Sequence, residues 1–206
     1  MNNKAMFKLS YGLFVLTANW QGKDNGCIIN TAIQAASTPN QVSISVNKAN
    51  LTHDMVMNSG KFTVSVLSQE ASFDLFKRFG FQSGRKADKF AGFDGWARGA
   101  NGVCYVTEGT NAYISVDVEK TVDLGSHTLF IGKVTDMEVL SEVPSTTYAY
   151  YQENIKPKPA AAPKTTKTVW RCVICGYEYG GEELPAEYIC PLCKHPASDF
   201  EKITTN

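Results

Sequence analysis

Four of the chain's six cysteines stand near its end as two Cys-x-x-Cys pairs: Cys172 with Cys175, and Cys190 with Cys193. Two such turns folded face to face supply four thiolates at the corners of a tetrahedron, a donor set suited to zinc or iron. The 14 residues between the pairs make a slightly shorter gap than zinc sites usually show. Gly176, behind the first pair, lets the backbone turn tightly enough for amides to point at sulfur. In a reducing compartment, paired cysteines are more often metal ligands or redox thiols than disulfides. An iron held by four thiolates has no open position for a substrate, so it passes single electrons rather than making bonds, whereas zinc there is structural.

A second group of residues has chemistry of another kind. "SISVNKANLTHDMV" reads as a strand ending at Asn47, a polar turn, and a helix from about His53 to Ser59. Amides at that helix start, with the Thr52 hydroxyl and Lys48, would form an anion cradle. The plainer alternative makes Thr52 an N-cap. "GCIINTAIQAAST" is a run of small residues between strands, open to a flat ring or simply tight packing. His127 opens the strand in "GSHTLFIGKV", and Lys89 sits in "ADKF". Cys27 and Cys104 are expected to be buried, inert thiols.

The elements that must position these groups are mostly strands. "VSISV" and "FTVSV" alternate strictly, and "AYISVDVEK" and "TLFIGKVTDMEVL" are longer β stretches. "SFDLFKRFG" adds a second short helix, from about Phe73 to Phe79. The phenylalanines of residues 73–93 fit a cover over a bound flat ring or core packing equally well. Short strand spacing with few helices predicts an antiparallel barrel in a mainly β chain.

The 206 residues allow one full domain and a small one. Lys+Arg and Asp+Glu both number 20, which argues against nucleic acid or an acidic membrane surface as partner. The N-terminal apolar run is too short for a membrane span and lacks the flanks of a secretory signal. A soluble, cytoplasmic protein is expected. "IKPKPAAAPKTTKT" has four lysines, three prolines and no acid, and reads as a semi-rigid linker. The expected division is a domain at 1–154, a linker at 155–168 and an acidic metal module at 169–206. That last segment is too small to bury a sufficient core, so the metal must stabilise it.

Two resemblances join these readings. "CVICGY" with "CPLC", Trp170 before the first pair and Phe200 after the second resemble rubredoxin, the one-iron electron carrier. The compact spacing is that of the short rubredoxin-like modules of rubrerythrins. Lys194 stands where rubredoxins usually have glycine. The likeness implies one iron per chain on Cys172, Cys175, Cys190 and Cys193, with structural zinc as the alternative. The segments of residues 26–38, 43–56, 87–90 and 125–134, taken together, resemble the flavin reductase-like family with its FMN-binding split β-barrel.

That second resemblance implies that Asn30, Thr31 and Ala32 flank the isoalloxazine. It puts Ser45, Val46, Asn47, Lys48, Asn50 and Thr52 at the ribityl chain and phosphate, and Lys89 near the cofactor. His127 would be the catalytic candidate beside the nicotinamide; Ser126 precedes it where the family usually has aspartate. A homodimer and NAD(P)H as co-substrate are also implied. The fusion resembles the high-molecular-weight rubredoxin type, whose partners include flavodiiron proteins that reduce oxygen or nitric oxide. The expected function is electron transfer from NAD(P)H through FMN to iron and on to such a partner. Alternatives are a pure electron carrier reduced by a partner protein, a flavin reductase releasing reduced FMN, and a protein with a structural zinc ribbon.

Overall fold

The computed structural model describes residues 2–157 and 168–204. The chain forms two compact units, Met1–Pro157 and Lys158–Asn206. Residues 158–167, most of the expected linker, lie outside the described residues.

In the first unit the strands are β1 (Phe14–Trp20), β2 (Lys23–Ile29), β3 (Ile33–Ser37), β4 (Asn40–Asn47), β5 (Lys61–Leu67), β6 (Trp96–Arg98), β7 (Cys104–Val106), β8 (Thr110–Asp123) and β9 (His127–Val139). Helix α1 (Leu51–Ser59) joins β4 to β5, and α2 (Phe73–Gly80) follows β5. Seven strands form one sheet in the order β2-β1-β5-β8-β9-β4-β3, while β6 and β7 pair separately. Neighbours are antiparallel throughout. The ladder has two ends, β2 and β3, and no pairing joins them among the described residues. This is the split in the barrel, and Asn30, Thr31 and Ala32 are the residues that cross it.

Turn chemistry fixes the register. Gln21 and Gly22, with φ of 51° and 77°, make a two-residue hairpin between β1 and β2, as the right-handed strand twist favours. Gly60 closes α1 in the left-handed region, its N–H bonded to the Val56 carbonyl at 2.9 Å. Ser72 caps α2 by accepting from the Leu75 N–H at 3.3 Å.

The middle strands are buried on both faces because two cores lie on opposite sides of them. Leu16 of β1 enters the barrel core with Ile44, Val46, Phe62, Val116, Phe130 and, from α1, Val56. Its neighbour Val15 points the other way, into a core under α2 made by Leu67, Phe76, Phe79, Phe93 and Tyr151. Phe79 meets Phe90 and Phe93 edge-on, with centroids 5.4 and 5.6 Å away. Phe76, Phe79 and Phe93 are thus core packing.

In the second unit β10 (Thr168–Cys172) lies between β11 (Glu178–Tyr179) and β12 (Phe200–Thr204). Cys172, Cys190 and Phe200 are its buried centre, with Trp170, Tyr177, Tyr179, Tyr188 and Leu192 packed around them. Two of the three buried residues at that centre, Cys172 and Cys190, are cysteines of the two pairs, so the module has little core apart from its cysteines.

Candidate functional site

The tail gathers its ligands from two loops. Cys172 ends β10 and Cys175 follows in the same turn, while Cys190 and Cys193 belong to the loop before β12. The four Sγ atoms lie within 4.8 Å of one another, with Cys172–Cys193 at 3.5 Å and Cys175–Cys190 at 3.3 Å. All four are free thiols. Four metal–sulfur bonds of ~2.3 Å in a tetrahedron require sulfur–sulfur edges of roughly 3.8 Å, which this cluster brackets. Burial pushes the Cys175 thiol up to about 11 and the Cys193 thiol well above its ordinary value. At Cys190 burial is outweighed by backbone N–H groups of Cys193 and Leu192, and the thiol is lowered. A cation at the centre is what allows all four to be thiolates together. The donor set fits iron or zinc.

In the first unit the sheet and its split bring most of the predicted cofactor residues together. The β4–β9 register sets Ser45 opposite Leu129, Val46 opposite Thr128, and Asn47 opposite His127. The Thr31 hydroxyl donates to the Ser45 carbonyl at 2.7 Å and accepts from the Ser45 N–H at 3.2 Å. It thereby copies a strand pairing and pins the crossing segment to β4. Ala32 borders an apolar cavity of about 350 Å³ that also touches Phe14, Val42, Val64, Ile114 and Met137.

Beyond β4 the turn is built by Asn47. Its side-chain oxygen accepts from the Ala49 N–H at 2.8 Å and its carbonyl from the Asn50 N–H at 3.0 Å. Asn50 occupies the N-cap position of α1, with no side-chain hydrogen bond to cap the helix. The helix therefore starts before Thr52, and Thr52 is a first-turn residue rather than its cap. A helix start without a side-chain cap leaves its first amides to be satisfied otherwise: the His53 N–H donates to the Asn50 carbonyl at 3.1 Å, and an anion suits the rest. The Lys48 ammonium reaches across to Asp123 at 2.7 Å, and that contact lowers the Asp123 carboxyl. At β9, the Ser126 hydroxyl sits 2.9 Å from His127 Nδ1, in the place where an aspartate would be expected to hold the ring.

Two predicted residues face inward. Thr52 is fully buried, and its hydroxyl accepts from Asn25 Nδ2 at 2.8 Å. Lys89 is 2% exposed and donates to the Gly26 carbonyl at 2.8 Å and the Phe79 carbonyl at 3.0 Å. Burial lowers the Lys89 ammonium from its ordinary value. It ties the free edge of β2 to α2, where an unpaired strand edge would otherwise be exposed. Cys27 and Cys104 are both buried, and burial raises both thiols, Cys104 to about 12.

Three residues of this region were not singled out from the sequence. Asn25, 2% exposed, anchors Thr52, and the backbone of Gly84 packs against its side chain. His53 spans from Asp54 (Nδ1, 3.0 Å) to the Thr128 hydroxyl (Nε2, 2.9 Å), joining α1 to β9. Arg85 pairs with Asp54 at 2.6 Å, which brings the basic "GRK" segment beside the α1 start. The basic run is legible in the sequence, but its destination is not.

Residues 6–158 match the flavin reductase like domain, and residues 170–201 match the rubredoxin-like domain of rubrerythrin. A high molecular weight rubredoxin of Moorella thermoacetica is 36% identical over 98% of this chain and 100% of its own length. The ferric-chelate reductase (NAD(P)H) of Archaeoglobus fulgidus is 42% identical over 73% of this chain and 89% of its own. Among solved structures, the NADH:FAD oxidoreductase of Streptomyces globisporus shares the fold, with a TM-score of 0.62 over 70% of this chain and 84% of its own at 21% identity. The split sheet, the uncapped helix start and the four-thiolate tail agree with these matches, and the chain belongs to the flavin reductase-like family, carrying a rubredoxin-like domain at its C-terminal end.

Proposed function

We propose that this chain is an NAD(P)H-dependent electron-transfer flavoprotein in which the barrel holds FMN and the tail holds one iron as the exit for electrons. The observation that carries the reading is the union in one chain of an uncapped helix start beside a split sheet and a four-thiolate site with no position for a substrate. FMN, when bound, takes up a hydride and releases its electrons singly, which matches the one-electron capacity of a tetrathiolate iron.

The chain's own residues bind, orient and exclude water. Asn30, Thr31 and Ala32 line the flavin ring where they cross the split. Ser45, Val46, Asn47, Lys48 and Asn50 hold the ribityl and phosphate groups through the turn that Asn47 builds. Thr52 and Lys89 act from beneath, fixing α1 and β2 through Asn25, Gly26 and Phe79. His127, steadied by Ser126, stands on the nicotinamide side. Functionally the chain divides into a flavin domain at 1–154, a linker at 155–168 and the iron module at 169–206.

The apolar cavity beside Ala32, with Ile33 at 65% and Met137 at 52% exposure on its lining, supports a second copy of the chain as its cover. Among the described residues no helix is long and apolar enough to cross a membrane, and the free thiols fit the reducing cytoplasm. A flavodiiron protein is the acceptor this arrangement serves.

Anaerobic titration with NADH, followed at the flavin and iron absorption bands together, tests the reading. Both bands should bleach, the iron band through the flavin. Bleaching only after a reductase partner is added makes the chain a pure carrier. A colourless tail after expression with iron makes it a zinc ribbon.

A further inference from the structure

The two cysteine turns of the tail are built alike. In each, the residue after the second cysteine donates its N–H to the carbonyl of the first: Gly176 to Cys172 at 2.8 Å, and Lys194 to Cys190 at 2.9 Å. In each, that residue is left-handed, with φ of 74° at Gly176 and 63° at Lys194. Glycine adopts this conformation freely, whereas a lysine Cβ crowds the backbone there. The first turn shows that glycine suffices for the geometry. What lysine adds is an ammonium.

That ammonium stands in an acidic module. Residues 169–206 hold six carboxylates and three basic residues. Arg171 is paired with Glu178 at 2.7 Å, and Lys202 lies 5.5 Å from the centroid of the Trp170 ring. Lys194 is exposed and forms no ion pair among the described residues. Among the described residues of this module it is thus the lysine or arginine without an ion pair or ring contact, and it follows directly in the chain on Cys193, itself only partly buried.

We propose that Lys194 sets the reduction potential of the tail iron, its charge favouring the reduced form. This rests on the iron reading above. Ferric iron gains one electron from the reduced flavin; no bond is made or broken, and the tetrathiolate centre becomes more negative by one charge. A nearby cation stabilises that added charge, and the strained turn is retained for it. The effect is modest, because an exposed charge acts through water.

The test uses the iron-loaded full chain and its Lys194→Gly, Lys194→Asn and Lys194→Arg variants, with potentials read by spectroelectrochemical titration of the iron band. Glycine and asparagine both tolerate the left-handed turn without the charge. At low ionic strength each should shift the electron-partition constant about threefold toward oxidised iron, or about 28 mV at 59 mV per tenfold for one electron. Lys194→Arg should match the wild type, and the differences should shrink in ~1 M salt, where the Debye length is ~3 Å. Thermal unfolding of the same samples provides the second readout: Lys194→Gly should be more resistant, because the turn is relieved. Wild-type potentials in the glycine and asparagine variants would overturn the proposal and leave Lys194 a tolerated strain. A wild-type chain with no reversible one-electron wave would refute the iron centre itself.

Discussion

Thr52→Val replaces a hydroxyl by a methyl of nearly the same shape at a position with no solvent exposure. The hydroxyl is the acceptor for Asn25 Nδ2 at 2.8 Å, and Asn25 is itself only 2% exposed, so water cannot take over the bond. The orphaned amide N–H costs ~1–3 kcal/mol of stability. For a unit of this size each kcal/mol moves the melting temperature by about 2–4 °C, so a loss of ~2 kcal/mol gives a drop of about 4–8 °C. The melt is read by circular dichroism on flavin-free protein, where a phosphate contact cannot contribute. FMN affinity, read by quenching of flavin fluorescence, should fall at least about tenfold, or ~1.4 kcal/mol, because Thr52 also fixes the first turn of α1. Thr52→Ser keeps the acceptor and should recover most of both. An unchanged melt in the flavin-free valine variant would refute the Asn25 anchor. An unchanged FMN affinity beside a lowered melt would make Thr52 purely structural.

Three further outcomes test the two units. Cys190→Ser removes a fully buried ligand and should abolish the iron absorption band while leaving FMN bound, checked by metal analysis and flavin release on one sample. Deleting residues 169–206 should likewise spare FMN binding but end NADH-driven reduction of a flavodiiron partner, with slow ferricyanide reduction persisting; a full rate from the truncated chain would mean that the flavin delivers electrons directly. Burial raises the Cys104 thiol from the ordinary 9.0 to about 12, with the Asp24 charge adding to it, so the folded chain keeps a proton that the unfolded chain loses. That contribution is complete below pH 9 and disappears as the pH rises towards 12, so the melting temperature of Cys104→Ala should fall less steeply than the wild type across that window.

What could be read in advance follows the range of the interactions. The metal ligands are fixed by two turns that each close within five residues, Cys172 to Gly176 and Cys190 to Lys194, so spacing alone exposes them. The alternating strands β4 and β5 were legible for a similar reason, since period-two patterning is local. β1 was not: adjacent Val15 and Leu16 are both apolar because they feed separate cores, which breaks the alternation that Thr63 and Ser65, polar though buried, preserve in β5.

The departures at the cofactor site all involve partners far along the chain. Thr52 looks like a cap by type, yet Asn25, 27 residues earlier, draws its hydroxyl inward and leaves the N-cap position to Asn50. Lys89 looks like a free cation beside an aspartate, yet its ammonium closes the β2 edge through Gly26, 63 residues away. His53, next to Thr52 in the same motif, bridges 75 residues to Thr128. The chemical side chains and the helix start were visible as types; which of them face a ligand and which hold the frame depends on where the split sheet brings its ends. That dependence gives the division a measurable consequence: Thr52 and Lys89, which hold the frame, should change stability with and without flavin, whereas Lys48, whose pair with Asp123 is solvent-exposed, should change FMN affinity with little effect on the flavin-free melt.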